Sequence, residues 1–365
     1  MMTVRALGLA CVLAGCATIS SPLIAPPANA LMARSERIYV AIAGTAHNKT
    51  IDEVLVFSPG RNAPVETIRV GVSGPDALTF DGIGNLYVGN TTGTVAVYAP
   101  GQTKPSYSFG MARQNGWALA IDGSNNAYWA SCPTCVNGSN PKPGNVSVYA
   151  PGKTRPSYTI TKGAAYPNAI AVSHTGTLYV ANCDVHYGCG KQPYPTFAGG
   201  FVSAFAPGKK TPAYTITDGI SAPNGMALDD TDNLYVANAG SHTVTVYAPG
   251  SKTPTYTIWA NGGGVIPRFL AFDRAGNLYV DVASTIFVYA PGSSGEFAQL
   301  ASVWGAGPMV FDDSGNLYVQ TVDNGYVANP KSPILIFAPG AVTPTSIIRL
   351  PDNLANAAAG IAIGP

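Results

Sequence analysis

Charge is scarce in this chain. Only 11% of its 365 residues are Asp, Glu, Lys or Arg, against about 25% in a typical globular protein. The formal net charge is +1 and no run of basic residues occurs, which excludes the electrostatic footprint by which proteins hold nucleic acid or an anionic membrane surface. The apolar run at 6–15 is too short to span a bilayer. No Gly-Xaa-Ser-Xaa-Gly occurs, so a nucleophile elbow with a Ser–His–Asp set is excluded. Cysteines number six.

Turn formers and β formers are plentiful instead. Glycine (41) and proline (30) are abundant, and tyrosine (19) outnumbers phenylalanine (12). This composition points to an all-β protein of many short strands, with ample apolar material for a core. Length alone suggests two domains, but an internal repeat decides otherwise. One copy reads Pro223-Asn224-Gly225-Met226-Ala227-Leu228-Asp229, continues with Asp232-Asn233-Leu234-Tyr235-Val236, and closes on Val244-Thr245-Val246-Tyr247-Ala248-Pro249-Gly250. A strand, a tight turn, a second strand, a longer link and a third strand follow from it.

The second-strand tyrosines are Tyr39, Tyr87, Tyr128, Tyr179, Tyr235, Tyr279 and Tyr318. Each is followed by an aromatic-Xaa-Pro-Gly ending, at Gly60, Gly101, Gly152, Gly208, Gly250, Gly292 and Gly340, spaced 41 to 56 residues apart. A fourth short β-forming stretch, such as Tyr158-Thr159-Ile160 or Tyr256-Thr257-Ile258, follows most endings. Four strands at such a period are the signature of a propeller blade. The first strands are expected at 77–80, 118–121, 169–172, 225–228, 269–272, 308–311 and 360–363, alternating large and small residues as a sheet packed on both faces requires. The first phrase, from Arg37, lacks an inner strand, and a spare copy stands at the C-terminus. The expected fold is an all-β, seven-bladed β-propeller of four-stranded antiparallel blades. Its C-terminal strand joins the N-terminal blade and so removes the open sheet edge. A monomer is expected.

Between first and second strands stand Asp81, Asp122, Asp229, Asp273 and Asp312. An aspartate there bonds its own downstream backbone and shapes a hairpin turn. Asp229-Asp230-Thr231-Asp232 resembles a calcium loop faintly, but the bidentate glutamate is missing.

Arg5 followed by the short apolar run makes a secretory signal. Leu13-Ala14-Gly15-Cys16 matches a bacterial lipobox, which would make Cys16 the lipidated first residue of an envelope protein; Ala28-Asn29-Ala30 offers an ordinary cleavage site and a soluble, secreted or periplasmic product. The organisation is then a signal peptide at 1–15, a flexible Ser/Pro/Ala tether at 16–34 and the propeller at 35–365. Membrane contact is expected only through the lipid, and stable anchoring needs more than one acyl chain.

Strand one crosses the disc and strand two returns, so the start of one and the end of the other share a face beside the hub. Just before the first strands stand Asp76, Trp117, Asn168, Asn224, Arg268, Gly307 and Ala359; just beyond the tyrosines stand Asn90, Ser131, Asn182, Asn238, Asp281 and Gln320. This ring is the candidate ligand or metal site, with Asp76, Asn168, Asn224, Asn238, Arg268 and Asp281 its main members. The bland alternative is that the asparagines satisfy loop backbone groups through Asx-type bonds.

The phrases Pro-Asn-Gly-hydrophobic-Ala and Asp-Xaa-Leu-Tyr-Val make the chain resemble the NHL-repeat and gluconolactonase-like propellers over essentially residues 35–365. That resemblance implies a divalent cation at the hub, Ca²⁺ or another, held by asparagine and acidic side chains, with Asn224 the nearest match and Asn168 and Asp76 in equivalent places. It also implies lactonase-like hydrolase or lyase chemistry, for which His242 is the nearest base in sequence. The departures are that only Asp76 and Asp281 are acidic, and that Arg268 would repel a cation. His47 and His186 fall on the same face, His174 on the other.

Cys11 and Cys16 belong to the signal region. Cys132, Cys135, Cys183 and Cys189 read first as disulfides in an exported chain. Local pairs are simplest, though three connectivities are open. A zinc site built from them, with or without His186, is the alternative, and the gap between Cys183 and Cys189 is wide for it. These cysteines open two long links whose Tyr187, Tyr194 and Phe197 offer a recognition surface or a lid. The function expected is capture of a protein or small-molecule ligand through the upper face, with metal-dependent hydrolysis as the alternative.

Overall fold

The computed structural model describes residues 36–46, 49–112, 115–132, 143–183, 199–259, 266–282, 285–301, 303, 306–321, 333–350 and 358–365. They form seven four-stranded antiparallel sheets with no helix among the described residues. Blade 1 holds β1 (Arg37–Ala46), β2 (Lys49–Phe57) and β3 (Glu66–Ile68). Blade 2 is β4 (Pro75–Phe80), β5 (Leu86–Asn90), β6 (Thr94–Tyr98) and β7 (Tyr107–Gly110); blade 3 is β8 (Asn115–Ile121), β9 (Ala127–Cys132), β10 (Asn145–Tyr149) and β11 (Tyr158–Ile160). Blade 4 is β12 (Pro167–Val172), β13 (Leu178–Asn182), β14 (Phe201–Phe205) and β15 (Tyr214–Ile216); blade 5 is β16 (Pro223–Leu228), β17 (Leu234–Asn238), β18 (Thr243–Tyr247) and β19 (Tyr256–Trp259). Blade 6 is β20 (Leu270–Phe272), β21 (Leu278–Asp281), β22 (Ile286–Tyr289) and β23 (Glu296–Leu300); blade 7 is β24 (Ala306–Phe311), β25 (Leu317–Thr321), β26 (Ile334–Phe337) and β27 (Ser346–Ile348). The last strand, β28 (Ala358–Gly364), returns to blade 1 and pairs with β1, setting Ile38 against Ile363 and Val40 against Ile361.

The inner strands touch in the cyclic order β28, β4, β8, β12, β16, β20, β24 and back to β28. Among the described residues the core is accordingly divided into seven large clusters, each spanning two neighbouring blades, and a small eighth around Cys183. The closing seam is as apolar as the others: Ile38, Val40, Ile42, Phe57 and Ile361 pack on Tyr318, Ile334, Ile336 and Ile348. Second and third strands are buried almost throughout, whereas the inner strands are half-buried along most of their length. That pattern fits inner strands that pack sideways on neighbouring blades and border a wet hub.

The conserved-looking geometry of the turn has a simple cause. Asp81 accepts the N–H groups of Ile83 (3.2 Å) and Asn85 (2.8 Å) through one oxygen, and the Asn85 amide (2.8 Å) and Tyr87 hydroxyl (3.3 Å) through the other. Asp122 and Asp312 repeat the clasp with Asn126 and Tyr128, and with Asn316 and Tyr318. At Asp229 burial pushes the pKa up, but bonds from Asn233 and Thr231 outweigh it and hold the carboxyl below its usual range. The turn reading of these aspartates therefore holds, and in blades 2, 3, 5 and 7 the second-strand tyrosine is the clasp's second anchor. Side chains also link turns of neighbouring blades: Asn125 accepts from Gly82 N–H (2.9 Å), Asp232 takes the His174 backbone N–H (2.9 Å), and Arg274 pairs with Asp313 (2.6 Å).

Candidate functional site

A bulge recurs where each inner strand begins, and it falls on the residue expected at the hub mouth. The ladder pairs Pro75 with Asn90 and Ala77 with Gly89, passing over Asp76. It passes over Trp117, Asn168 and Asn224 in the next three blades, over Gly307 and Pro308 in blade 7, and over Ala359 in blade 1. In blade 6 the Asp281 carbonyl takes the Arg268 N–H (3.0 Å) while the Asp281 N–H goes to the Phe269 carbonyl (2.9 Å), giving Arg268 the same place. A bulged residue is freed from the alternation of its strand, which is how sheets re-aim side chains beside binding sites.

The bulges pack on one another around the ring. At Gly225 and Gly360 the position after one bulge lies against the bulge carbonyl of the next blade, which leaves no room for a side chain. A Cβ on Gly360 would stand 2.8 Å from the Asp76 carbonyl oxygen, and one on Gly225 would stand 2.1 Å from that of Arg268. Asn168 donates across the same kind of interface, to the Pro223 carbonyl (3.2 Å) and the Asn224 side-chain oxygen (3.2 Å). The structure thus joins Asn168 to Asn224 by a side-chain hydrogen bond.

Asp76 is the member with nothing to do for the fold. Burial holds its carboxyl above the usual range, and no hydrogen bond or ion pair reaches it among the described residues. Arg268 is fixed on two sides: its Nη2 donates to the Ala306 carbonyl (2.8 Å), and its Nε lies 3.4 Å from an oxygen of the fully buried Asp281. The side chain remains about one-third exposed, though its Nε is buried. Asp76 can accept, Asn224 retains its amide N–H groups, and Arg268 offers positive charge. Such a set suits a small polar ligand with both acceptors and donors.

Asn238 departs from the expectation. It is fully buried, accepts the Ser221 N–H (3.0 Å), and donates to the Val236 carbonyl (3.1 Å) and the Thr245 hydroxyl (2.9 Å). Asn90 and Asn182 are used up the same way, against Ser73 and Gly71 and against Tyr166 and Gly163. All three hold the loop that leads into the inner strand, so the Asx reading is correct for them and the hub reading is not. Asp281 and Gln320 sit one place earlier, where other blades carry Gly89, Ala130, Ala181 and Ala237. A shift of one residue turns a strand side chain to the other face. Gln320 is fully buried there, and neither end of its amide has a partner among the described residues.

The donor set was weighed against the divalent cation that the resemblance implies. Ca²⁺ takes six to eight oxygen ligands. Among the described residues no three His, Cys, Asp or Glu side chains converge, the Asp281 carboxylate faces Arg268, and the Asn224 oxygen takes the Asn168 amide. The described mouth does not fit such a cation. His242 stands half-buried in the link between β17 and β18 with φ 57°.

Cys132 and Cys183 are buried at matching ends of β9 and β13, and both sulfurs are engaged. Cys183 packs on Ala222 and Ala239 of the next blade. Cys16, Cys135, Cys189, His47, His186 and the aromatic residues Tyr187, Tyr194 and Phe197 lie outside the described residues.

Fold and mouth together define the class: a seven-bladed β-propeller, closed by its C-terminal strand. No protein-family model and no curated sequence matches the chain. Among solved structures it is similar to a functionally unknown protein from Desulfotomaculum acetoxidans DSM 771, at TM-score 0.63 and 16% identity over 90% of this chain and 99% of that one. A protein of unknown function from Bacteroides caccae is similar at TM-score 0.51 and 11% identity, again over 90% and 99%. At these identities the likeness carries the fold alone.

Proposed function

We propose that this protein is an exported, lipid-anchored binding module whose hub mouth captures a small polar ligand. The observation that carries the reading is Asp76, a half-buried carboxylate on a bulge with no partner among the described residues. Structural carboxylates in this chain, such as those of the turn, are saturated by donors; one that is half-buried at the hub mouth, with its pKa raised by burial and no protein donor among the described residues, is a candidate to receive a ligand. Asn224 and Arg268 supply the complementary donors. Gluconolactonase-like hydrolysis would need a cation, which this donor set does not favour, so capture without turnover is the better reading. The test is a thermal-shift screen of sugars, sugar acids, amino acids and related polar metabolites. One chemical class is expected to raise the melting temperature of the wild type and to lose that effect in Asp76→Asn. A ligand at a hundred times its Kd stabilises by about 2.7 kcal/mol, well within reach of such a screen. A wild type that responds to nothing counts against the reading.

The anchor rests on Leu13-Ala14-Gly15-Cys16 and on the Ser/Pro/Ala tether that follows. Disulfides 132–135 and 183–189 would staple the two long links beside the mouth. Mass spectrometry of the membrane-fraction protein checks both: an acylated Cys16 peptide and two unreduced local pairs are expected. An unmodified N-terminus beginning after Ala30 contradicts the anchor, and free thiols contradict the staples.

A further inference from the structure

Blade 6 lacks a ring that four other blades share. In blades 2 to 5 the fourth strand pairs Tyr107, Tyr158, Tyr214 and Tyr256 with the third strand at one equivalent position. These tyrosines lie against the second-strand tyrosine: the hydroxyls of Tyr87 and Tyr107 are 3.4 Å apart, those of Tyr179 and Tyr214 3.4 Å, and those of Tyr235 and Tyr256 3.0 Å. Tyr107 also accepts the Gly152 N–H (3.1 Å) from the Pro-Gly ending of the next blade. At the corresponding place in blade 6 stands Ala298, opposite Val288.

The consequence is visible at that interface. A cavity of about 260 Å³ lies between blades 6 and 7, lined by Tyr279, Phe311, Leu317, Phe337 and Gly340. Tyr279 is half-buried, while the six other second-strand tyrosines are buried. Between blades 1 and 2, where Glu66 occupies the position, the matching space is about 10 Å³. The space is open to solvent on one side, with Asp273, Arg274, Asp313 and Ser314 around an apolar floor, and its volume exceeds that of a phenol ring. The Tyr279 hydroxyl donates to the Asp273 carboxylate, which with burial pushes its pKa to about 12, so toward a ligand hydroxyl its oxygen accepts. Gly340 ends blade 7 as Gly152 ends blade 3, and the exposed Arg274–Asp313 pair marks the rim.

We propose that this cavity binds the 4-hydroxyphenyl group of a small ligand, its ring seated where the missing tyrosine would lie. The ligand hydroxyl meets Tyr279 and the Gly340 N–H as Tyr107 meets Tyr87 and Gly152. This site is on the turn face, away from the hub mouth, and stands independently of it.

The experiment titrates 4-methylphenol and toluene into the full-length protein by ligand-observed NMR. Wild type is expected to bind 4-methylphenol saturably and to prefer it over toluene roughly fivefold, the worth of one neutral hydrogen bond. Tyr279→Phe should bring that preference close to parity. Ala298→Tyr should fill the slot, abolish binding, and melt no lower than wild type. Absence of saturable binding, or undiminished binding by folded Ala298→Tyr, overturns the proposal. If Ala298→Tyr does not fold, an unchanged preference in Tyr279→Phe overturns it equally.

Discussion

A chain ending at residue 357 is expected to lose the cooperative melt of the full protein and to elute as aggregate. The deletion removes β28, whose pairing with β1 supplies the inner strand of blade 1. It strips Ile361 from the seam that packs Ile38, Val40 and Ile42 on blade 7, and it takes Ile363 with it. Loss of each buried isoleucine costs about 2–5 kcal/mol, against a total stability of roughly 5–15 kcal/mol. The unpaired edge of β1 would then be free to recruit another chain. Size exclusion with a thermal melt reads the outcome. A monomeric truncation with an unchanged melt would show that the ring does not depend on its closing strand.

Arg268→Ala is expected to destabilise the protein by about 1–3 kcal/mol, because the buried Asp281, though held by a further contact, loses its cation and the Ala306 carbonyl loses its donor. Asp281 is fully buried beside Arg268. The double change Arg268→Met with Asp281→Leu should recover most of the loss, because a well-packed apolar pair often matches a buried ion pair in stability. Urea unfolding of the three proteins measures this. A loss below about 1 kcal/mol in the single variant would place the pair among ordinary surface salt bridges.

Blade count and ring closure were legible in the sequence because each phrase carries its own strands and turn. The Asp81 and Asp312 clasps involve only residues within six positions of one another, so local chemistry reveals them. The spare strand at the C-terminus needed only counting. The mouth was legible in part. Asp76, Asn168, Asn224 and Arg268 could be assigned to the start of the inner strand because topology alone puts them there. The bulge that aims them depends on how neighbouring inner strands crowd, as the contacts of Gly225 and Gly360 show. No single repeat contains that information. Asn238 was misplaced because Asn90, Asn182 and Asn238 sit three residues past their tyrosine, while Asp281 and Gln320 sit two past theirs. That offset was readable and decides which face each one takes. The gap at Ala298 was readable too, as the break in a column that holds tyrosine in four blades.

The account turns on whether the mouth holds a ligand, and the most direct measurement is of what the purified protein retains. Wild type, Asp76→Asn and Asn224→Ala are isolated side by side, denatured, and their extracts compared by liquid chromatography and mass spectrometry. A small polar compound retained by the wild type and lost from both variants, with all three melting as folded rings, is the predicted result. Extracts that do not differ, from equally folded proteins, would contradict the claim and return Asp76 to the architecture.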